Sequence, residues 1–294
     1  MKLTLLGTGT PTPSLKRMSA GYLLEVGDAR MLFDFGPGCY HRMMEAGIRA
    51  VDITHVFFTH LHYDHCLDFV RLLMTRWDQG GGKLPELQVF GPAHTAQMTN
   101  AIIAPDGLFG PDIKARTELP MSQAVHRARG GDLPRLGPAP IVRELKSGEC
   151  VDGEGWQVKL RAVRHAQPVL ECFGYRLEHA GQSFVYSGDS GPCKAMELLA
   201  ADCDVLVHMC HFISGTELNE EMAENNMGHL QLARLGQASA AKNVVISHVT
   251  EQMDVPGVRE NILRTMGEIY SGNLFFGEDL MQIPMDGPKP VRLD

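Results

Sequence analysis

His60-Leu61-His62-Tyr63-Asp64-His65 decides how this chain is read. Four potential metal ligands stand within six residues, directly after the apolar run Val56-Phe57-Phe58-Thr59. There a buried strand gives way to a helix beginning near Cys66. Alternate residues of an extended segment project to the same side. His60 and His62 can therefore grip one ion, while Asp64 and His65, past the turn, can face another. Imidazole nitrogen and carboxylate oxygen are donors that zinc, manganese and iron all accept. Six residues do not saturate two ions, and three other strand ends offer the missing donors. His165 follows a strand at 157–163, Asp189 sits in Ser187-Gly188-Asp189-Ser190 after a strand ending at Tyr186, and His248 follows a strand at 244–247. Carboxyl ends of strands are where α/β sheets place their sites.

Outward from the motif, the chain alternates short apolar strands with amphipathic helices. Strands are predicted at 2–6, 21–26, 30–35, 53–59 and 87–91, with helices at 37–46, from about 66, and at 93–103. The second half repeats the pattern, with strands at 141–146, 157–163, 173–178, 183–187, 205–208 and 244–247. Helices follow at 193–200, 229–240 and 256–268. Such alternation implies layered α/β architecture, with two sheets packed face to face and helices outside. Residues 105–140 break the pattern. They are rich in Gly and Pro with little periodicity, and loops of that length tend to serve as lids, binding loops or subunit contacts.

The 294 residues, 44% apolar and 21% charged, provide ample material for a sizeable core. That balance excludes a disordered or fibrous chain. Gly7 interrupts the opening Met1-Lys2-Leu3-Thr4-Leu5-Leu6, which leaves no apolar stretch of the kind secretory leaders carry. Seven scattered cysteines contain no Cys-x-x-Cys pair, a pattern of reduced thiols. Together these features predict a cytoplasmic protein. The net charge of −8 argues against a polyanion-binding surface. Gly7-Thr8-Gly9 is read as a turn, because Thr12 stands where a dinucleotide fingerprint requires glycine.

The sequence resembles the metallo-β-lactamase superfamily, within it the branch of ribonuclease Z, related phosphodiesterases and arylsulfatase-like hydrolases. The likeness is carried by Leu6-Gly7-Thr8-Gly9-Thr10-Pro11, Leu32-Phe33-Asp34-Phe35-Gly36-Pro37-Gly38, the His60–His65 motif and Phe90-Gly91-Pro92. It continues through Gly188-Asp189, Val205-Leu206-Val207-His208, Gly228-His229 and Ser247-His248. The resemblance implies a four-layer αββα sandwich (the metallo-β-lactamase fold) as a single domain over 1–294, with an insertion at about 105–140. It also implies two divalent ions, usually zinc. His60, His62 and His165 would hold one metal, Asp64, His65 and His248 the other, and Asp189 would bridge them. Asp64 and His229 are the candidate catalytic residues, for proton transfer.

Two departures stand out. Ribonuclease Z carries Glu after the position of His208, orienting the histidine that matches His229; Met209 stands there in this chain. The bacterial enzyme also carries a long basic arm that clasps tRNA, where this chain has only His179-Ala180-Gly181-Gln182. The expected activity is therefore that of a dinuclear zinc hydrolase whose metal-bridging hydroxide attacks a small or medium phosphodiester or aryl sulfate ester. Lowering the pKa of water from about 15.7 to about 7 removes on the order of 12 kcal/mol from the cost of hydroxide. A small-molecule ester substrate, no membrane and a homodimer are the expected partners, with charge and missing arm arguing against nucleic acid. Alternatives are a lactone or carboxylic ester hydrolase and a tRNA 3′-processing endonuclease.

Overall fold

The computed structural model describes residues 1–286. The strands are β1 (Lys2–Gly7), β2 (Gly21–Val26), β3 (Ala29–Phe35), β4 (His55–Phe57), β5 (Gln88–Gly91), β6 (Ile141–Glu144) and β7 (Cys150–Gly153). They continue with β8 (Trp156–Ala162), β9 (Phe173–His179), β10 (Gln182–Tyr186), β11 (Val205–Met209), β12 (Asn243–Ser247), β13 (Asn273–Phe276) and β14 (Gln282–Ile283). The helices are α1 (Cys39–Glu45), α2 (Tyr63–Cys66), α3 (Phe69–Gly80), α4 (Thr95–Ile103) and α5 (Gly110–Glu118). After them come α6 (Pro120–Ala128), α7 (Lys194–Ala200), α8 (Glu220–Asn225), α9 (His229–Ser239) and α10 (Val258–Gly267).

Two seven-stranded sheets result, in the orders β14-β1-β2-β3-β4-β5-β6 and β13-β12-β11-β10-β9-β8-β7. Side-chain alternation decides what each face touches. Leu3, Tyr22, Phe33 and Phe57 point between the sheets and meet Val158, Tyr175, Phe184 and Val207. Their neighbours Leu23, Leu32, Val56 and Phe58 point outward onto α1, α3 and α4. On the other sheet Leu206, Val244 and Ile246 face α7, α9 and α10. Strands buried on both faces read as unbroken apolar runs, and the four-layer αββα sandwich follows. Among the described residues no helix is long and apolar enough to cross a membrane.

Strand direction places the site. In the first sheet β3, β4, β5 and β6 run parallel, and β1 shares their direction through the antiparallel β2. In the second, β10, β11, β12 and β13 are parallel, and β8 shares their direction through β9. The chain segments after β4, β8, β10 and β12 therefore leave their sheets at carboxyl edges, and the backbone of Phe173 donates to Thr59 where the two edges meet.

Several elements differ from the sequence reading. The strand at 53–59 contracts to β4, and residues 105–140 contain two helices, α5 and α6. Both carry proline in their first turn, where its missing N–H costs nothing, so residues that read as breakers open the helices. β7, α8, β13 and β14 were not foreseen. The single-domain reading over 1–294 extends to residues 287–294, which lie outside the described residues.

Candidate metal centre

Each predicted ligand sits just past a strand that holds its backbone. His60 and His62 follow β4 in extended chain, and Asp64 and His65 begin the turn of α2. His165 follows β8, Asp189 follows β10 and His248 follows β12. The loops must approach closely for this to work. A Cβ on Gly36 would lie 1.9 Å from the Asp64 carbonyl oxygen, and one on Gly188 (φ +57°) would lie 2.7 Å from Thr59 Cβ.

All seven residues converge. One ligand atom from each of His60, His62, His165 and Asp189 lies within 4.8 Å of the others, as do those of Asp64, His65 and His248. Asp189 reaches both groups: Oδ1 is 3.5 Å from His65 Nε2, and Oδ2 is 3.6 Å from His165 Nε2 and 3.4 Å from His248 Nε2. His60 Nε2 and His62 Nδ1 face each other at 2.9 Å. Donor atoms placed tetrahedrally about 2.0–2.1 Å from one zinc ion stand about 3.3 Å apart, close to the 3.4–3.6 Å separations around Asp189, with the His60–His62 pair tighter.

Hydrogen bonds behind the ligands aim them. Asp34, fully buried and held at φ +55°, accepts from the Thr59 amide (2.7 Å), the Thr59 hydroxyl (2.7 Å), the Tyr186 hydroxyl (2.8 Å) and His65 Nδ1 (2.7 Å). Because the Thr59 hydroxyl donates to Asp34, its oxygen accepts from His60 Nδ1 at 3.0 Å. One carboxylate thus fixes two histidines so that Nε2 of each faces the cluster. His165 Nδ1 donates to the Asn225 carbonyl at 3.0 Å, again freeing Nε2. Asp34 was missed as a site residue; its signal was an acid inside an apolar strand ahead of Gly36-Pro37-Gly38.

The donor set fits divalent cations. Asp64 Oδ1, His65 Nε2, His165 Nε2 and Asp189 Oδ1 are buried with no hydrogen-bond partner among the described residues, an arrangement that is costly unless something charged satisfies it. Burial, then repulsion from His65, pushes His60 below its ordinary pKa, and burial does the same to His62. Burial works against ionisation of Asp64 and Asp189, yet their hydrogen bonds and attraction to His248 and His65 hold both well below the usual carboxylate range. The carboxylates are thus held ionised and His60 and His62 favour the neutral ring, while His65, although buried, is pushed well above its ordinary pKa by Asp189 and Asp34.

His229 opens α9, and its Nδ1 accepts the Ser214 backbone N–H at 2.9 Å. Nδ1 is therefore unprotonated and Nε2 carries the proton. This backbone bond orients the ring where a carboxylate was absent, while Met209 is turned to other use, its Sδ lying 2.9 Å from the Ser190 amide nitrogen. The His211 ring stands 5.9 Å from that of His248. His208 is buried with Nδ1 on the Met209 carbonyl at 2.8 Å. Cys66 lies outside both ligand groups.

Comparison with known proteins bears on what this centre serves. A model of the beta-lactamase superfamily domain matches residues 29–248. A ribonuclease Z from Mycobacterium sp. (strain KMS) is 31% identical over 289 residues, covering 96% of this chain and 95% of the relative. Among solved structures, the metallo-beta-lactamase fold protein YhfI from Bacillus subtilis superposes with a TM-score of 0.73 at 17% identity, covering 96% of this chain and 98% of that one. Human tRNase Z, short form, does so with a TM-score of 0.69 at 20% identity, covering 97% and 100%.

These findings correct one expectation, the small-molecule ester partner with nucleic acid set aside. A relative named as a ribonuclease runs the length of the chain. The net charge of −8 is a sum over 294 residues, whereas a phosphodiester need only reach one edge of the sandwich. The missing arm is real: Ala180 and Gly181, both at positive φ, make a two-residue turn between β9 and β10. It is one means of holding RNA and not the chemistry itself.

Proposed function

The chain belongs to the metallo-β-lactamase superfamily as a ribonuclease Z-like hydrolase, and from that premise we propose that it hydrolyses an RNA phosphodiester at the 3′ side of a tRNA precursor. The observation that carries the hydrolytic half is the pair of ligand groups joined by Asp189. The end-to-end likeness to a ribonuclease Z supports RNA as the substrate.

In this reading His60, His62, His165 and Asp189 hold one ion, and Asp64, His65, His248 and Asp189 hold a second. Two divalent ions, most simply zinc, would supply Lewis acidity at phosphorus and bring the pKa of water from about 15.7 towards about 7. The remaining work falls to the chain. Asp34 keeps His60 and His65 aimed through bonds of 2.7 to 3.0 Å. Asp64 would hold the ion through Oδ2, which lies beside His248 and His65, leaving Oδ1 to accept the proton of the attacking water. His229, its Nδ1 occupied by Ser214, presents Nε2–H as a hydrogen bond to the oxygen on which negative charge develops. Burial lowers the pKa of His229, so at pH 7 the neutral ring stabilises that oxygen by hydrogen bonding and keeps its proton.

The test is incubation of zinc-loaded protein with a 3′-extended tRNA precursor. Cleavage at one position, abolished by chelation and restored by zinc, is the expected result. Protein carrying two equivalents of metal that leaves the precursor intact would overturn the RNA assignment.

A further inference from the structure

A cavity that none of the seven candidate ligands lines lies elsewhere in the fold. It is lined by residues just before β5 and β6, by the second half of α3 and by His126 of α6. That is the amino edge of the sheet whose carboxyl edge, after β4, carries His60, His62, Asp64 and His65. Its volume is about 270 Å³, room for a small organic molecule. Leu73, Trp77, Leu84 and Leu87 supply apolar wall.

The polar part of the lining is unbalanced. Arg76 and Arg135 are buried, at 8% and 6% exposure, whereas the lining carboxylates Glu86 and Asp132 are exposed. Arg76 donates to the carbonyls of Ile53 and Pro85, both at 2.8 Å, and has no ion pair among the described residues. Arg135 stacks on Trp77, with Cζ 4.4 Å from the ring centre, and gives Nη2 to Asp78 at 2.8 Å. Asp78 is already shared with Arg116 and Arg129. Arg135 Nε is buried with no partner, as is Nδ1 of His126, whose Nε2 donates to the Asp132 carbonyl at 3.1 Å. Buried guanidinium charge without a full complement of acceptors is costly.

We propose that this cavity is a binding site for a small organic monoanion, its apolar body against Trp77 and the leucines and its carboxylate held by Arg135 and Arg76. A planar carboxylate suits the guanidinium fork, and a flat ring suits the face of Trp77 beside the stacked Arg135. The site is independent of the RNA reading, and the two fail separately.

Trp77 reports occupancy directly in the full-length chain once Trp156→Phe removes the other indole. Benzoate is the probe and benzamide its neutral match. The expected result is a saturable change in Trp77 fluorescence with a dissociation constant at or below about 1 mM. Loss of the charged contact should weaken benzamide about tenfold or more, and Arg135→Gln should weaken benzoate equally. Should that variant fail to fold, Arg135→Lys keeps the charge without the planar fork and is expected to bind several-fold less tightly. No saturable change at about ten times that concentration, equal binding of benzamide, or full affinity in the Arg135 variants would overturn the proposal.

Discussion

Asp34 shows how one side chain can set the geometry of a site that it does not enter. Its carboxylate gathers the Thr59 amide and hydroxyl, Tyr186 and His65, at a positive φ of the kind that functional sites retain despite its cost. Asp34→Asn removes the ionised acceptor that His65 and Thr59 share. Metal affinity measured by chelator competition is expected to fall 10- to 100-fold, in the range seen for such supporting groups; unchanged affinity would rule the role out. His229 makes the contrasting case, since it lies outside both ligand groups. His229→Ala should keep full metal content while kcat for the precursor drops by about 10²–10³, and loss of metal in that variant would reassign it as a structural residue. The seven candidate residues that converge were legible in the sequence because each stands in a short motif or just after an apolar strand. Asp34 and Ser214 were not, for separate reasons. The bonds from Asp34 to His65 and Tyr186 span 31 and 152 residues, and Ser214 acts through its backbone N–H, which every residue but proline possesses.

Among the elements, the strands that contact both the central core and a helix layer were readable from unbroken apolar runs, and so was the edge strand β6, whereas the edge strands β7, β13 and β14 and the proline-opened helices were not. β13 and β14 carry four and two residues, too few for a period to declare itself. The chain between them supplies Asp279, which accepts from the Thr8 hydroxyl at 2.8 Å and the Met18 amide at 2.7 Å, tying the tail to the opening loop. The α5–α6 pair is secured differently, by charge. Asp78 near the end of α3 takes Arg116 at 3.1 Å, Arg129 at 2.8 Å and Arg135 at 2.8 Å. Partial burial raises its pKa, but the hydrogen bonds from Arg135 and Arg129 prevail and bring it down to about 2. A carboxyl depressed in the folded state contributes stability above its unfolded pKa of about 4 and loses it as pH falls through the folded value. Discounted for solvent screening, the contribution is about 1 kcal/mol. Asp78→Asn should therefore cost about 1–2 kcal/mol at pH 7 by urea denaturation, the larger figure including repulsion among the three guanidiniums. The gap to the parent protein should close between pH 4 and pH 2. A gap independent of pH would mean that packing, and not charge, holds the helices to α3.

For the whole molecule, the proposed activity requires a chain of net charge −8, with only a two-residue turn between β9 and β10, to engage an RNA. Cations on several loops and helices near the ligand-bearing edge are already paired within the protein. Lys16 and Arg17 meet Asp254, Arg42 meets Glu45 and Asp279, Arg164 meets Glu224, and Lys194 meets Glu197. Each phosphate neutralised by a free cation releases condensed counterions and steepens the dependence on salt. A surface whose cations are internally matched should make few such contacts and depend instead on the cluster of donors at the carboxyl edge. With about two phosphate contacts to single-stranded RNA, raising salt from 50 to 200 mM should lower kcat/KM by about sevenfold, against 10³–10⁵ in affinity for a protein making 6–10 contacts on duplex DNA. Single-turnover cleavage of the precursor across that range, at fixed free metal, measures the slope. A fall of a hundredfold or more would require those pairs to open onto phosphates, and substituting Arg164 and Lys16 singly would then show which of them the RNA recruits.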